Sequence, residues 1–261
     1  EQSSGRTFAT YDELWRWSVD DLGGFWASVW DYFDLGERPD DVLPDDSMPG
    51  AVWFPGIRLN YAQHALRLAG RGDDDAVIVA RSQTRPPSSL TVTQLRDQVA
   101  RVRAGLQRLG VGRGDRVAAY LPNIPETTVA LLATASLGAV WSSCAPEFGT
   151  RSVVDRFAQI EPKVLLTIDG YRYGDRTVDR SAEVAAIRAA LPSLAATVCV
   201  PYLGIGLPDS MSWDELTSQA GPLEFEPVGF DHPLWVLYSS GTTGLPKPIV
   251  QGQGGILLEH L

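Results

Sequence analysis

An α/β fold of mostly parallel sheets flanked by helices, carried behind a helical N-terminal extension, is what this sequence predicts. Three observations predict it. From Ala76 onward, short apolar runs alternate with amphipathic stretches of helical period, the pattern of strand–helix–strand units. Before Ala76 that alternation is missing, and five of the eight tryptophans (Trp15, Trp17, Trp26, Trp30 and Trp53) fall there among short helical spacings. Near the other end, the apolar run Leu234-Trp235-Val236-Leu237 empties into Ser239-Ser240-Gly241-Thr242-Thr243-Gly244-Leu245-Pro246-Lys247. The predicted division is therefore an extension over 1–75 and the first part of a larger α/β domain over 76–261.

In the extension, Phe25, Trp26, Val29, Trp30 and Phe33 recur at helical spacing and form one apolar stripe. Aromatics at this spacing usually fill a core. Residues 37–49, rich in Asp and Pro, read as a loop, and a helix is expected over about 60–68.

The alternation then runs through the domain. A strand is expected at 76–80. Thr91 and Gln94 form a capping box for the helix carrying Leu95, Val99, Val102, Leu106 and Leu109, which Gly110 and Gly112 end. Strands follow at 116–121, 139–142, 163–168, 197–200 and 234–238. The helices between them are expected from Pro125 to about 137, over about 151–160 and over 182–191. Buried strands joined by amphipathic helices make a parallel sheet covered on both faces. Ligands of such sheets bind beyond the carboxyl ends of the strands, where the 239–247 loop should lie.

Composition narrows the function. The chain has 261 residues, 44% of them hydrophobic and 21% charged, with a formal net charge of −10. That charge argues against nucleic acid or an anionic membrane as the general partner, and an anionic ligand needs a local cluster of donors. No apolar stretch approaches a membrane span and no signal-peptide pattern is present. Cys144 and Cys199 sit in apolar surroundings without CxxC spacing, as buried reduced thiols of a cytoplasmic enzyme. His64, His232 and His260 share no metal-ligand spacing, so no metal site is expected within the chain. Glu1 in place of an initiator Met leads us to expect a processed or trimmed start. The apolar helical pattern at 256–261 stops without a C-cap, which leads us to expect a fragment of a longer protein.

The 239–247 loop combines hydroxyl donors, two glycines that let backbone N–H groups turn inward, and a lysine as a point charge. Lysine occurs only at positions 163 and 247, against 20 arginines. The spacing Gly241-x-x-Gly244-x-x-Lys247 followed by Pro248 excludes a Walker A loop, which needs G-x-x-x-x-G-K-[ST] and a helix starting at the lysine. Pro246 and Pro248 remove two N–H groups, so Lys247 projects from an extended segment. By composition alone the loop also fits an ordinary Ser/Thr/Gly-rich surface turn.

The loop resembles the phosphate-binding motif of the adenylate-forming superfamily, [ST]-[ST]-G-[ST]-T-G-x-P-K, at all nine positions. By that resemblance Ser239, Ser240, Gly241, Thr242, Thr243 and Gly244 wrap the β- and γ-phosphates of ATP, Lys247 stabilises the polyphosphate, and Mg²⁺ accompanies the nucleotide. Residues 53–62, 145–149, 169–174 and 233–240 look like the acetoacetyl-CoA synthetase group, and the resemblance covers about 10–261. It implies acetoacetate:CoA ligase (AMP-forming) chemistry with ATP, acetoacetate and CoA as substrates. Other short-chain acids such as acetate and propionate stand as the alternative, as does a non-catalytic nucleotide-binding fragment. Arg172 falls where related enzymes place an arginine near the nucleotide end of CoA, with Arg176 as a helper; two solvated loop arginines is the other reading. The family's catalytic lysine falls beyond residue 261. One departure stands out: Gln251 and Gln253 replace the two histidines of the family's His-x-His-Gly-Gly. Glutamine donates and accepts hydrogen bonds but cannot titrate.

Overall fold

The computed structural model describes residues 5–240 and 244–261. Two helices open the chain, α1 (Tyr11–Asp20) and α2 (Leu22–Tyr32). The Thr10 hydroxyl accepts from the Glu13 N–H at 3.3 Å, and Asp21 Oδ1 from the Gly24 N–H at 3.0 Å. Each satisfies a donor that the first helical turn leaves free. Of the expected stripe, Trp30 is fully buried and Phe25, Trp26, Val29 and Phe33 are half-buried. Trp30 stacks on Phe54 at 4.7 Å between centroids, and Phe54 on Phe230 at 5.0 Å. Leu257 and Leu258 close the same cluster, so the extension packs on the far end of the chain.

Strand β1 (Arg58–Leu59) leads into α3 (Tyr61–Ala65). This helix is shorter than expected: Leu66 caps it and Leu68 turns to φ +49°, a left-handed conformation no helix continues through. β2 (Ala76–Ala80) pairs antiparallel with β3 (Ser88–Thr91), a polar strand that no apolar pattern announced. The two form a hairpin of their own and β2 does not join the main sheet. The capping box of α4 (Val92–Arg108) is present, with Thr91 Oγ1 accepting from the Gln94 N–H at 3.2 Å and Gln94 Oε1 from the Thr91 N–H at 2.9 Å.

The remaining elements are β4 (Arg116–Tyr120), α5 (Pro125–Ser136), β5 (Val140–Cys144), α6 (Thr150–Phe157), β6 (Val164–Ile168), β7 (Gly170–Tyr173) and β8 (Arg176–Asp179). They continue with α7 (Ser181–Ala190), β9 (Ala196–Val200), β10 (Met211–Ser212), α8 (Trp213–Thr217) and β11 (Val228–Gly229), which pairs with β1. The chain closes with β12 (Pro233–Ser239), β13 (Lys247–Gly252) and α9 (Gln253–Glu259).

One seven-stranded sheet organises the fold, in the order β10-β9-β6-β4-β5-β12-β13. Every neighbouring pair is parallel except β12 and β13, which are antiparallel. The last strand therefore departs from the expected run of parallel units. Alternate residues of the central strands feed opposite cores. Val117, Ala119, Val164, Leu166 and Ile168 meet the α4 and α5 side chains Leu95, Val99, Leu106, Val129 and Leu132. On the other face Ala118, Tyr120 and Leu165 meet Val153 and Phe157 of α6 and Val184 and Ile187 of α7. Each fully buried aliphatic side chain contributes roughly 1.5–3 kcal/mol over leaving it exposed. Gly105 lets α4 touch α8: a Cβ there would lie 2.4 Å from the Leu216 carbonyl oxygen.

Candidate functional site

Buried Leu234 and Val236 seat β12 in the sheet, and the Ser142 hydroxyl donates to the Val236 carbonyl at 2.8 Å. Because β12 runs parallel to β5, it delivers its carboxyl end to the edge where β4, β5 and β6 also end. Ser239 then faces Lys247 as the last pair of the β12–β13 ladder. The candidate loop is thus the turn of an edge hairpin. Lys247 stands on an extended strand, as the flanking prolines predict. Pro248 stands on β13, the outer strand of the sheet, where a residue without an N–H is tolerated.

Ser239, Ser240, Gly244 and Lys247 are exposed; Gly241, Thr242 and Thr243 lie outside the described residues. Gly244 has φ +101° in open space, a conformation that favours glycine. Among the described residues no carboxylate pairs with Lys247. Free hydroxyls and an uncompensated ammonium at a strand end suit an anion.

Helix α6 buttresses this hairpin. The Tyr238 hydroxyl donates to the Arg156 carbonyl at 2.8 Å, and Gln159 Nε2 to the Pro246 carbonyl at 2.9 Å. The Arg156 guanidinium sits over the Phe148 ring at 5.1 Å and the Tyr238 ring at 5.8 Å. Burial pushes the Tyr238 phenol up to about 12, so it remains a donor at any working pH. Neither hydrogen bond was legible in the sequence, because each joins residues more than eighty positions apart.

The two glutamines at the family's histidine positions both act as acceptors. Trp235 Nε1 donates to Gln251 Oε1. Gln253, fully buried, accepts the Tyr61 N–H on Oε1 at 2.8 Å, while its Nε2 lacks a protein partner among the described residues. Neutral histidine can offer the same single acceptor. Sequence reading missed the neighbouring hub, Asn60. Its Nδ2 donates to the Ala135 and Glu226 carbonyls at 2.8 and 2.9 Å, and its Oδ1 caps α3 by accepting from Ala62 and Gln63.

Arg172 and Arg176 occupy the β7–β8 hairpin rather than an irregular loop, and both are exposed. Arg172 is opposite Thr177 and Tyr173 opposite Arg176, so the two arginines lie on opposite faces of the ribbon. The hairpin follows the end of β6, three strand spacings from β12, or about 14 Å along the sheet edge. Buried Asp169 precedes it and accepts the N–H groups of Leu203, Ile205 and Gly206 at 2.7–3.0 Å. The thiols of Cys144 and Cys199 are buried and unbridged, pushed up by burial to about 11 and about 12. Among the described residues no group of three His, Cys, Asp or Glu is placed to hold a metal. Among them, no helix is long and apolar enough to cross a membrane.

Comparison with known proteins adds names to this geometry. The family model for AMP-binding enzymes matches residues 65–259, and that for the acetyl-coenzyme A synthetase N-terminus matches residues 11–65. The chain is 44% identical to an acetoacetyl-coenzyme A synthetase of Rhizobium meliloti (strain 1021), covering 98% of this chain and 40% of that one. It is 38% identical to the acetoacetyl-CoA synthetase of Macaca fascicularis with the same coverages. The solved acetoacetyl-CoA synthetase from Streptomyces lividans superposes with a TM-score of 0.93 at 53% identity, over 98% of this chain and 40% of its own. The chain spans about 40% of the length of these relatives.

Proposed function

The chain belongs to the AMP-binding enzyme family, and from that premise we propose that it is the ATP-phosphate-gripping part of an acetoacetate:CoA ligase that forms AMP. The observation that carries the reading is the β12–β13 hairpin: exposed Ser239 and Ser240, and a Lys247 unpaired among the described residues, at the carboxyl edge of a parallel sheet. The names of the relatives supply the acid.

In this reading a carboxylate oxygen attacks the α-phosphorus of ATP. The α–β phosphoanhydride bond breaks, pyrophosphate leaves and an acyl-adenylate remains. The CoA thiol, losing its proton, then attacks the acyl carbon and AMP departs with the bonding pair. Neither step uses a protein nucleophile, so the task is positioning and charge stabilisation of an in-line displacement. Ser239 and Ser240, with Gly241, Thr242, Thr243 and Gly244, donate to the β- and γ-phosphate oxygens, and Lys247 offsets their charge. Mg²⁺ arrives with the phosphates. Arg172 contacts the nucleotide end of CoA; Arg176, on the other face of the hairpin, helps only from a second side of the ligand. Residues 1–75 form the extension and 76–261 the first part of the catalytic domain. The two unbridged thiols fit a reducing, cytoplasmic setting.

A second acid is favoured by one finding, the match of residues 11–65 to the acetyl-coenzyme A synthetase N-terminus. Acid-dependent exchange of pyrophosphate into ATP by the full-length product, across acetoacetate, acetate, propionate and other short acids, tests both. Exchange driven best by acetoacetate is expected. Equal or better exchange with acetate would remove the acetoacetate assignment. No exchange with any acid would leave a non-catalytic nucleotide binder.

A further inference from the structure

The two small hairpins outside the main sheet are fastened to each other. In β7 the N–H of Arg172 points away from β8, where an edge strand normally meets water, and the N–H of Gly174 lies in the turn that follows. Here both are taken by side chains from the turn between β2 and β3. Arg172 N–H donates to Thr84 Oγ1 at 3.0 Å, and Gly174 N–H to Gln83 Oε1 at 3.0 Å. One bond to the strand and one to its turn fix both the position and the tilt of the hairpin.

That turn is itself rigidly held. Ser82 Oγ accepts from the N–H groups of Thr84 and Arg85 at 3.2 and 2.9 Å, folding the turn on itself. Arg85 ties it to the domain. Its guanidinium pairs with Glu126 at the start of α5, donates to the Pro201 carbonyl at 3.1 Å and lies 4.7 Å over the Tyr202 ring. Arg85 is thus held by three protein partners. Its carboxylate partner is mostly buried, at 17% side-chain exposure, so the pair is little screened.

We propose that the 81–87 turn is a bracket that positions the β7–β8 hairpin for CoA, with Gln83 and Thr84 as positioning residues and Arg85 as their anchor. This rests on the reading of Arg172 as a CoA contact. The sequence offered no sign of it: Gln83 and Thr84 look like ordinary loop residues, and their partners lie 91 and 88 positions away.

The test uses the full-length enzyme with Gln83→Ala and Thr84→Val combined, Thr84→Ser as the conservative variant, and Arg172→Ala. Amide hydrogen exchange in the double variant is expected to lose protection at Arg172 and Gly174 only. Its KM for CoA is expected to rise roughly fivefold to thirtyfold, the scale of one or two lost hydrogen bonds. Acetoacetate-dependent pyrophosphate exchange, which needs no CoA, is expected to hold, and Thr84→Ser to behave as wild type. Arg172→Ala should raise the CoA KM as well, and adding it to the double variant should add little. If Arg172→Ala raises the CoA KM while the double variant does not, the bracket is refuted and the CoA reading survives. If neither moves it, the CoA reading falls and the bracket's role falls with it. Unchanged protection at Arg172 and Gly174, or loss of pyrophosphate exchange in the double variant, overturns the positioning role directly.

Discussion

The backbone N–H of Tyr61 donates to the side-chain Oε1 of Gln253 at 2.8 Å, joining residues 192 positions apart. The bond ties the start of α3 to the start of α9, next to the Asn60 carboxamide that reaches Ala135 and Glu226. Both side chains are fully buried.

Removing either is expected to be costly. Asn60→Ala strips the α3 cap and leaves the Glu226 carbonyl unpaired, a loss of about 2–4 kcal/mol. Gln253→Ala leaves the Tyr61 N–H unpaired and opens a small void, about 1–3 kcal/mol. Urea unfolding of the 261-residue chain measures both, and the double variant should lose less than the sum because the two share α3. Full additivity would show that the two contacts act independently.

His64 sets a pH dependence. Burial first, and Arg67 second, lower its pKa from 6.5 to about 4, and Nδ1 has no partner among the described residues. The folded state resists a proton that the unfolded chain accepts. Stability is therefore complete above about pH 6.5 and falls as pH drops toward 4. Because solvent still reaches part of the ring, the loss is about 1–2 kcal/mol rather than the full linkage value. Unfolding midpoints across pH 4–7 for the wild type and His64→Gln measure it; the variant should show a flatter profile.

Two glycines separate space from flexibility. Gly105→Ala drives a methyl into the Leu216 carbonyl and is expected to destabilise by about 2–3 kcal/mol. Gly112→Ala meets nothing within 4 Å and should stay within about 0.5 kcal/mol of wild type. Thermal denaturation compares the two, and equal losses would refute the close approach of α4 to α8.

The thiols provide a check on the core. With pKa values near 11 and 12, Cys144 and Cys199 should react with an aromatic disulfide at least about a hundredfold more slowly in the native chain than in denaturant. A fast native phase would mean that one of them is accessible.

Lys247 is expected to matter for chemistry and little for folding, being exposed and unpaired among the described residues. Lys247→Ala in the full-length product should lower pyrophosphate exchange about 10²–10³-fold, as loss of one group aimed at developing charge does. Its unfolding midpoint should be unchanged. Exchange within a factor of about three of wild type would remove Lys247 from the phosphate grip.

How much of this was readable in advance follows physical range. The helices α4 and α5 and the strands β4, β6 and β12 were legible because caps, proline and burial period are written within each segment. The hairpins were not. β3 and β8 are polar, and each is a strand only because β2 or β7 lies beside it. The prolines beside Lys247 marked an extended segment, but its antiparallel pairing with β12 depends on a partner strand and could not be read from it. At the candidate site the local chemistry of Ser239 to Lys247 was legible. The roles of Tyr238, Gln159, Gln251 and Gln253 depend on partners remote in sequence.

The pairing of Ser239 with Lys247 has a mechanical consequence. Both legs of the loop are stitched to one ladder, so a pull on the ammonium is also a pull on the serine. The inner leg is riveted to the middle of the sheet through Val236 and the Ser142 hydroxyl. A load on either strand end is therefore carried inward along β12, as a lever loads its fulcrum.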